Sequence, residues 1–371
     1  MKVGIVTITS GLNYGNSLQN LGLIFFLKEL GINAETILNE YDSSHIKRKL
    51  DRKIKNFIKK KTNILGKRKK TIFDETRQDK YLSFDKKYIQ FSKKHIKHNE
   101  ITDEIINEYD FFIAGSDIIW NNVYKSDVMF LKNVPSEKKI AYAASFGSDY
   151  LPKSSYVEYK EALKDFKEIS VREKDGGKII FKLLNRNVDV CIDPTMLISD
   201  ERWREIACKP KWFSKLRYSK YIITYFLGNT PIYVLDDIYR RFGKDVKIIN
   251  LLDKDNIDWY TVDPLEFLYL IDNAMLVYTD SFHGCVFSII FKTPFFVFSR
   301  KELTDNNFNK LTSRITNITE KFNMKSRFII QDKFDDIIWN DIDFSSNNHI
   351  LSLEKNKAKK FLVNALQLEK H

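Results

Sequence analysis

Cysteine, glycine and proline are all scarce here: 3, 13 and 7 in 371 residues. The three cysteines, Cys191, Cys208 and Cys285, lie far apart and show no CxxC or Cys/His spacing, so neither a disulfide framework nor a metal site is expected. Cys191 and Cys285 sit in apolar runs and are expected in the core, in a reduced, cytoplasmic protein. Few glycines and prolines exclude a fibrous or loop-rich chain. No run of about 18 apolar residues occurs, which excludes a membrane-spanning helix. The start, MKVGIVTITSGLNYG, is too briefly apolar for a signal peptide. Acidic residues are missing from one place above all. Segment 45–70 holds thirteen Lys/Arg against the single acid Asp51, and this is the whole of the chain's net charge of +12. Any electrostatic attraction to a partner is concentrated there.

What is present is enough apolar residue, 43%, to build cores, over a length that suggests two domains. KVGIVTI (2–8) reads as a buried strand, a Gly/Asn turn follows, and an apolar helix spans 16–30, closed by Gly31. Strands are expected at 32–37, 109–117, 138–147, 168–173 and 188–194, with helices at 72–88, 155–166 and 173–184. The second half repeats the alternation, with strands at 221–227, 246–250, 274–279 and 294–298. Its helices are expected at 232–242, 263–271, 281–291 and 351–367. This predicts an α/β protein of two Rossmann-like domains facing a cleft, 1–205 and 206–371. Residues 46–61 form a narrow apolar stripe on a very basic helix. Nucleic-acid binding would want aromatics among the charges, and only Phe57 is there. An anionic membrane surface suits the segment better, although a merely solvated basic face is the commonest outcome.

The residues that could carry chemistry fall at strand ends, where ligands of such sheets sit. TDSFHG (279–284) follows a strand and opens a helix. Asp280 or Ser281 would cap it, its free N–H groups suit an anion, and His283 could donate to that anion or move a proton. Gly284 would let a ligand approach the backbone. The plainer alternative is a capped helix with an incidental histidine. Arg172 ends a strand and could clamp a carboxylate or phosphate, or simply pair with Glu173. The turn SGLNYGNSLQN (10–20) lacks GxGxxG and GK[ST]. Its Asn13, Tyr14, Gly15 and Asn16 either present donors to a ligand or merely start the helix. In AGSDIIWN (114–121), Ser116 and Asp117 end a strand. Asp117 could be a general base or a cap, and Trp120 a platform for a sugar or a core residue. CIDPTMLIS (191–199) reads as a turn leaving the domain.

Taken in order, GLNYGNSLQN, FIAGSD with Trp120, IAYAASFG, ISVREKDG, CIDPTML, TDSFHG and SRITNI resemble the signature of the polysaccharide pyruvyl transferase family, over residues 3–318. The resemblance implies a GT-B-like fold. It also implies transfer of a pyruvyl group from phosphoenolpyruvate to two hydroxyls of a surface or capsular polysaccharide, forming a ketal. No cofactor and no metal are implied. On this resemblance His283, Arg172 and Asp117 are the catalytic set. Asn13, Tyr14, Gly15, Asn16, Ser116, Trp120, Ser281, Gly284 and Arg314 would line the substrate site. Ile118 and Ile119 depart from the family, where Gln and Val are commoner, which removes an amide from the acceptor side. The implied partner is a glycan acceptor, lipid-linked or growing, at the inner membrane face. The alternative is a glycosyltransferase using a nucleotide sugar. A non-catalytic basic binding protein is disfavoured by the intact set of His283, Arg172 and Asp117.

Overall fold

The computed structural model describes residues 1–9, 11–39, 64–122, 125–215, 220–227, 230–299, 312–329 and 337–368. Most of the basic segment, including the expected helix at 46–61, lies outside the described residues. The strands are β1 (Lys2–Val6), β2 (Asn33–Thr36), β3 (Phe111–Ala114), β4 (Lys139–Ala144), β5 (Glu168–Val171), β6 (Asp189–Val190), β7 (Tyr221–Tyr225), β8 (Lys247–Leu251), β9 (Leu276–Thr279), β10 (Phe295–Phe298) and β11 (Phe328–Ile329). The main helices are α1 (Tyr14–Glu29), α2 (Ile64–Tyr88), α3 (Tyr156–Leu163), α4 (Lys174–Leu184), α5 (Asp200–Ile206), α6 (Ile232–Phe242), α7 (Pro264–Asp272), α8 (Phe282–Phe291), α9 (Thr312–Lys321) and α10 (Asn347–Ala365). Among the described residues no helix is long and apolar enough to cross a membrane.

The chain folds as two compact units. The first comprises Met1–Lys67, Asp85–Leu197 and Leu353–His371; the second comprises Arg68–Phe84 and Ile198–Ser352. The expected single boundary at 205/206 is therefore replaced by an earlier one and by a returning C-terminus. The physical reasons are two buried anchors. Trp203 on α5 is fully buried and stands edge-on to Phe287, so the chain has entered the second unit by then. At the far end, α10 buries Phe361, Leu362 and Ala365, with the Phe361 ring 6.2 Å from Tyr142 of β4 in the first unit.

In the first unit six parallel strands run in the order β2-β1-β3-β4-β5-β6. The register sets Ile5 against Ile113 and Ile113 against Ile140. Every residue of β3 and β4 is buried, as in a parallel sheet covered on both faces. Asn13 caps α1, its Oδ1 accepting from the Gly15 and Asn16 amides, a contact worth about 1 kcal/mol. In the second unit five parallel strands run β11-β10-β9-β7-β8. There α7 opens on a full capping box, Asp263 with Glu266, and Pro264 in the first turn. The short elements β11, α5 and α9 were not expected from the sequence.

Both sheets share one topological property. The chain leaves the first strand of each in one direction and returns on the other side, so the order reverses between β1 and β3 and between β7 and β9. Ligands of open parallel sheets bind beyond the carboxyl ends of strands at such reversals.

Candidate functional site

TDSFHG lies at the reversal in the second unit. Thr279, the last residue of β9, donates its hydroxyl to the Tyr225 carbonyl of β7 at 2.7 Å and accepts from the Ser281 amide at 3.0 Å. Asp280 accepts the Leu227 amide at 2.9 Å, tying the two strand exits together. Ser281 caps α8, its Oγ accepting from the Gly284 amide at 3.4 Å. These bonds hold the start of α8 in place. They put His283, which is 5% exposed, in its first turn. The Phe282 ring stands edge-on to the imidazole, 5.2 Å away at 87°. The Arg314 guanidinium lies over Phe282, 5.8 Å from its centre, at a distance suited to cation–π attraction. One aromatic ring thus carries the histidine at its edge and the arginine on its face, and α9 brings in Arg314 from outside the motif.

The reversal in the first unit gathers the remaining motifs. Gln19, fully buried on α1, donates to Thr7 Oγ1 at 2.9 Å and to the Asn16 carbonyl at 3.2 Å, and accepts from the Ser116 amide at 3.3 Å. The exit of β1, the start of α1 and the exit of β3 are locked by one amide. Asp117 follows in the left-handed region, with φ 65°. Its Oδ1 accepts from the Ile118 amide at 2.9 Å, and its carbonyl accepts from the Ser145 amide at 3.0 Å. Arg172, at the end of β5, is ringed by carboxylates. Its Nε donates to Glu173 at 2.8 Å, its Nη1 to Asp193 at 2.8 Å, and its Nη2 lies 3.6 Å from Asp117. Burial opposes the Arg172 charge, but the attraction of Glu173, Asp193 and Asp117 outweighs it, and the guanidinium is held above its ordinary range.

The structure places each of the expected site residues. Of the two readings of Arg172, an anion clamp or a partner of Glu173, the contact with Glu173 is present. Among the described residues the guanidinium is engaged by three carboxylates of its own unit. Trp120 offers no sugar platform. It is fully buried, its Nε1 donates to the Met129 carbonyl, and Phe130, Phe146 and Phe166 pack around it. Tyr14 is likewise fully buried, Gly15 is buried beside it, and Asn13 spends its side chain on the cap. Ser116 is sealed in, donating to the Ala143 carbonyl at 3.0 Å. Gly284 is required by packing, since a Cβ there would stand 2.6 Å from Thr279 Oγ1. Helix and strand could not approach as they do.

The comparisons with known proteins bear on these two arrangements. The sequence profile of the polysaccharide pyruvyl transferase family matches residues 13–302. The chain belongs to the polysaccharide pyruvyl transferase family. No curated protein matches it in sequence. Among solved structures, UDP-GlcNAc 2-epimerase from Neisseria meningitidis bound to UDP-GlcNAc is similar at TM-score 0.51 and 10% identity, covering 100% of both chains. The S. aureus MnaA–UDP co-structure is similar at TM-score 0.50 and 11% identity, covering 100% of this chain and 98% of that one. At such identities the likeness concerns the fold, a GT-B-like pair of Rossmann-like units. In this family member sequence reasoning missed Gln19, Thr279 and Asp193. The first two lie inside the motifs SGLNYGNSLQN and TDSFHG, but nothing in their spacing marks them as the residues that tie the strand exits together. Asp193 was assigned to a turn because Asp-Pro is a turn signal, which hid its carboxylate's second task.

Proposed function

We propose that the protein transfers a pyruvyl group from phosphoenolpyruvate to two hydroxyls of a sugar in a surface or capsular polysaccharide. Family membership supports the transferase class, and one observation carries the assignment of roles: cationic and acidic groups are segregated. His283 and Arg314 share Phe282 in the second unit, at the start of α8, where N–H groups and the helix dipole favour an anion. The anionic donor is assigned to them. In the first unit, the carboxylates around Arg172 outnumber it and suit a neutral, hydroxyl-bearing acceptor. Asp117 is the group assigned to receive a hydroxyl proton.

The chemistry balances with these groups alone. Two acceptor oxygens bond to C2 of the donor, and the bond from C2 to the phosphate oxygen breaks. One hydroxyl proton ends on the methylene carbon, which becomes methyl, and the other leaves on phosphate. The ketal keeps the donor's carboxylate, so the glycan becomes acidic.

The fold shared with structures that hold UDP and UDP-GlcNAc favours a second reading, a transferase using a nucleotide sugar. Thermal unfolding separates the two. Phosphoenolpyruvate at about 100 times its Kd should stabilise the protein by about 2.7 kcal/mol, while UDP-GlcNAc and other nucleotide sugars leave the melting temperature in place. Stabilisation by a nucleotide sugar alone would overturn the pyruvyl assignment.

The basic segment supports a peripheral position at an anionic membrane, where a lipid-linked acceptor would be presented. Neutralising Lys59, Lys60 and Lys61 should weaken binding to vesicles containing phosphatidylserine by about 3 kcal/mol, at about 1 kcal/mol per charge. Vesicle co-sedimentation measures this, and unchanged binding would remove the segment's role.

A further inference from the structure

Three carboxylates compete for one guanidinium in the first unit, and they are not equivalent. Glu173 Oε1 takes the Arg172 Nε bond and also accepts from Ser145 Oγ at 3.0 Å. Asp193 commits both oxygens: Oδ1 accepts from the Thr195 amide at 3.0 Å and its hydroxyl at 2.8 Å, and Oδ2 takes Arg172 Nη1 at 2.8 Å. Asp117 uses only Oδ1, for the Ile118 amide and the long 3.6 Å contact to Arg172, and Oδ2 has no partner among the described residues. The arginine's short bonds to Glu173 and Asp193 therefore go to carboxylates that are otherwise engaged. The carboxylate left with an open oxygen receives only the long contact.

We propose that Asp193 is a positioning residue: with Glu173 it holds Arg172 back from Asp117, so that Asp117 keeps an oxygen for an acceptor hydroxyl. The functional half of this rests on the reading of Asp117 given above; the geometric half does not. Asp193 is well placed for the task because its turn cannot drift. Pro194 packs so closely on α1 that a Cβ at Gly22 would stand 2.7 Å from the Pro194 carbonyl oxygen. Asp193 is 1% exposed, and its Oδ2 also lies 3.5 Å from Ser116 Oγ, next to Asp117 in sequence. Guanidinium groups prefer two parallel bonds to one carboxylate. Released from Asp193, Arg172 has in Asp117 the nearest other carboxylate among the described residues that keeps an open oxygen, and would close onto it.

The test is the crystal structure of the full-length Asp193→Asn variant beside that of the unchanged protein. Asparagine keeps the shape and can still accept from Thr195, but its charge is gone. The expected result is an Arg172 nitrogen at about 2.8 Å from Asp117, the ordinary length of a charged pair. An Arg172–Asp117 contact as long as before would overturn the proposal. Should Asp193→Asn not fold, Thr195→Val removes one of the bonds that fix Asp193, and a shift of Arg172 toward Asp117 is expected there; an unmoved Arg172 again overturns it. Kinetics supply the second arm. With phosphoenolpyruvate and a transferable acceptor, Asp193→Asn should lower kcat about 100-fold with donor KM unchanged, the scale of a catalytic group misplaced by about 1 Å. Combined with Asp117→Asn, it should add no further loss, because both act through one carboxylate. Multiplied losses would mark Asp193 as a structural support only. The crystallographic arm does not depend on the identity of the donor, so failure of the pyruvyl reading and failure of this one are told apart.

Discussion

Arg172→Ala should cost the protein about 3–5 kcal/mol of stability, the usual consequence of removing one partner from a buried ionic cluster. The magnitude follows from what remains. Glu173, Asp193 and Asp117 are 4%, 1% and 5% exposed, and all three lie within 3.6 Å of the guanidinium. Without it they lose the positive charge that contacts all three, in a region where charges interact far more strongly than in water. A whole domain is commonly stable by only about 5–15 kcal/mol, so the loss takes a large share of the total. Urea unfolding followed by circular dichroism measures it. An arginine whose task was to clamp the donor would behave differently: its removal would leave the unfolding midpoint in place and raise the donor KM. Arg172→Lys should fall between the extremes. It restores the charge, but a single ammonium cannot replace the planar fork that reaches three carboxylates from Nε, Nη1 and Nη2.

This case shows how far the sequence carries. Alternation of β-branched runs with apolar helices was enough to place every long strand, because a buried parallel strand such as IAYAA in β4 has few alternatives. The motif positions followed from the same rule, since they lie at strand exits. What did not follow is which polar groups satisfy each other. Arg172 and Glu173 are adjacent, and their pairing was foreseen as one of two readings. Asp193, 21 positions on, becomes a partner only because β5 and β6 are neighbours and the chain turns sharply at Pro194. Trp120 admits two readings, a sugar platform or a core residue, and the choice between them depends on Phe130, Phe146 and Phe166, whose convergence no local pattern announces. The close approach of Thr279 to Gly284 is likewise invisible in the sequence, where the glycine suggests only an opening toward a ligand. The division into units was misplaced for a similar reason, since α10 reads as an ordinary amphipathic helix and nothing in its spacing says which core it joins.

His283→Gln should lower kcat by about 100- to 10,000-fold, the usual contribution of a positioned proton-transfer group, while the protein stays folded. Glutamine is preferred to alanine because the imidazole is buried, and truncation to a methyl would add the cost of a cavity to any loss of chemistry. The substitution also separates two roles. A histidine that holds the donor's charge contributes to binding, and its loss would raise donor KM and abolish the phosphoenolpyruvate-induced rise in melting temperature. A histidine that delivers the proton to the methylene carbon acts in the transition state, and its loss lowers kcat with donor binding retained. The surroundings favour the second outcome. Arg314 already places a permanent positive charge over Phe282, and the start of α8 offers backbone N–H groups, so the donor's charge has other ligands. No other histidine lies in the 276–299 segment that forms β9, α8 and β10, and imidazole is the side chain whose ordinary titration best suits proton transfer near neutral pH. Full activity in His283→Gln would remove the residue from the mechanism, whatever the donor proves to be.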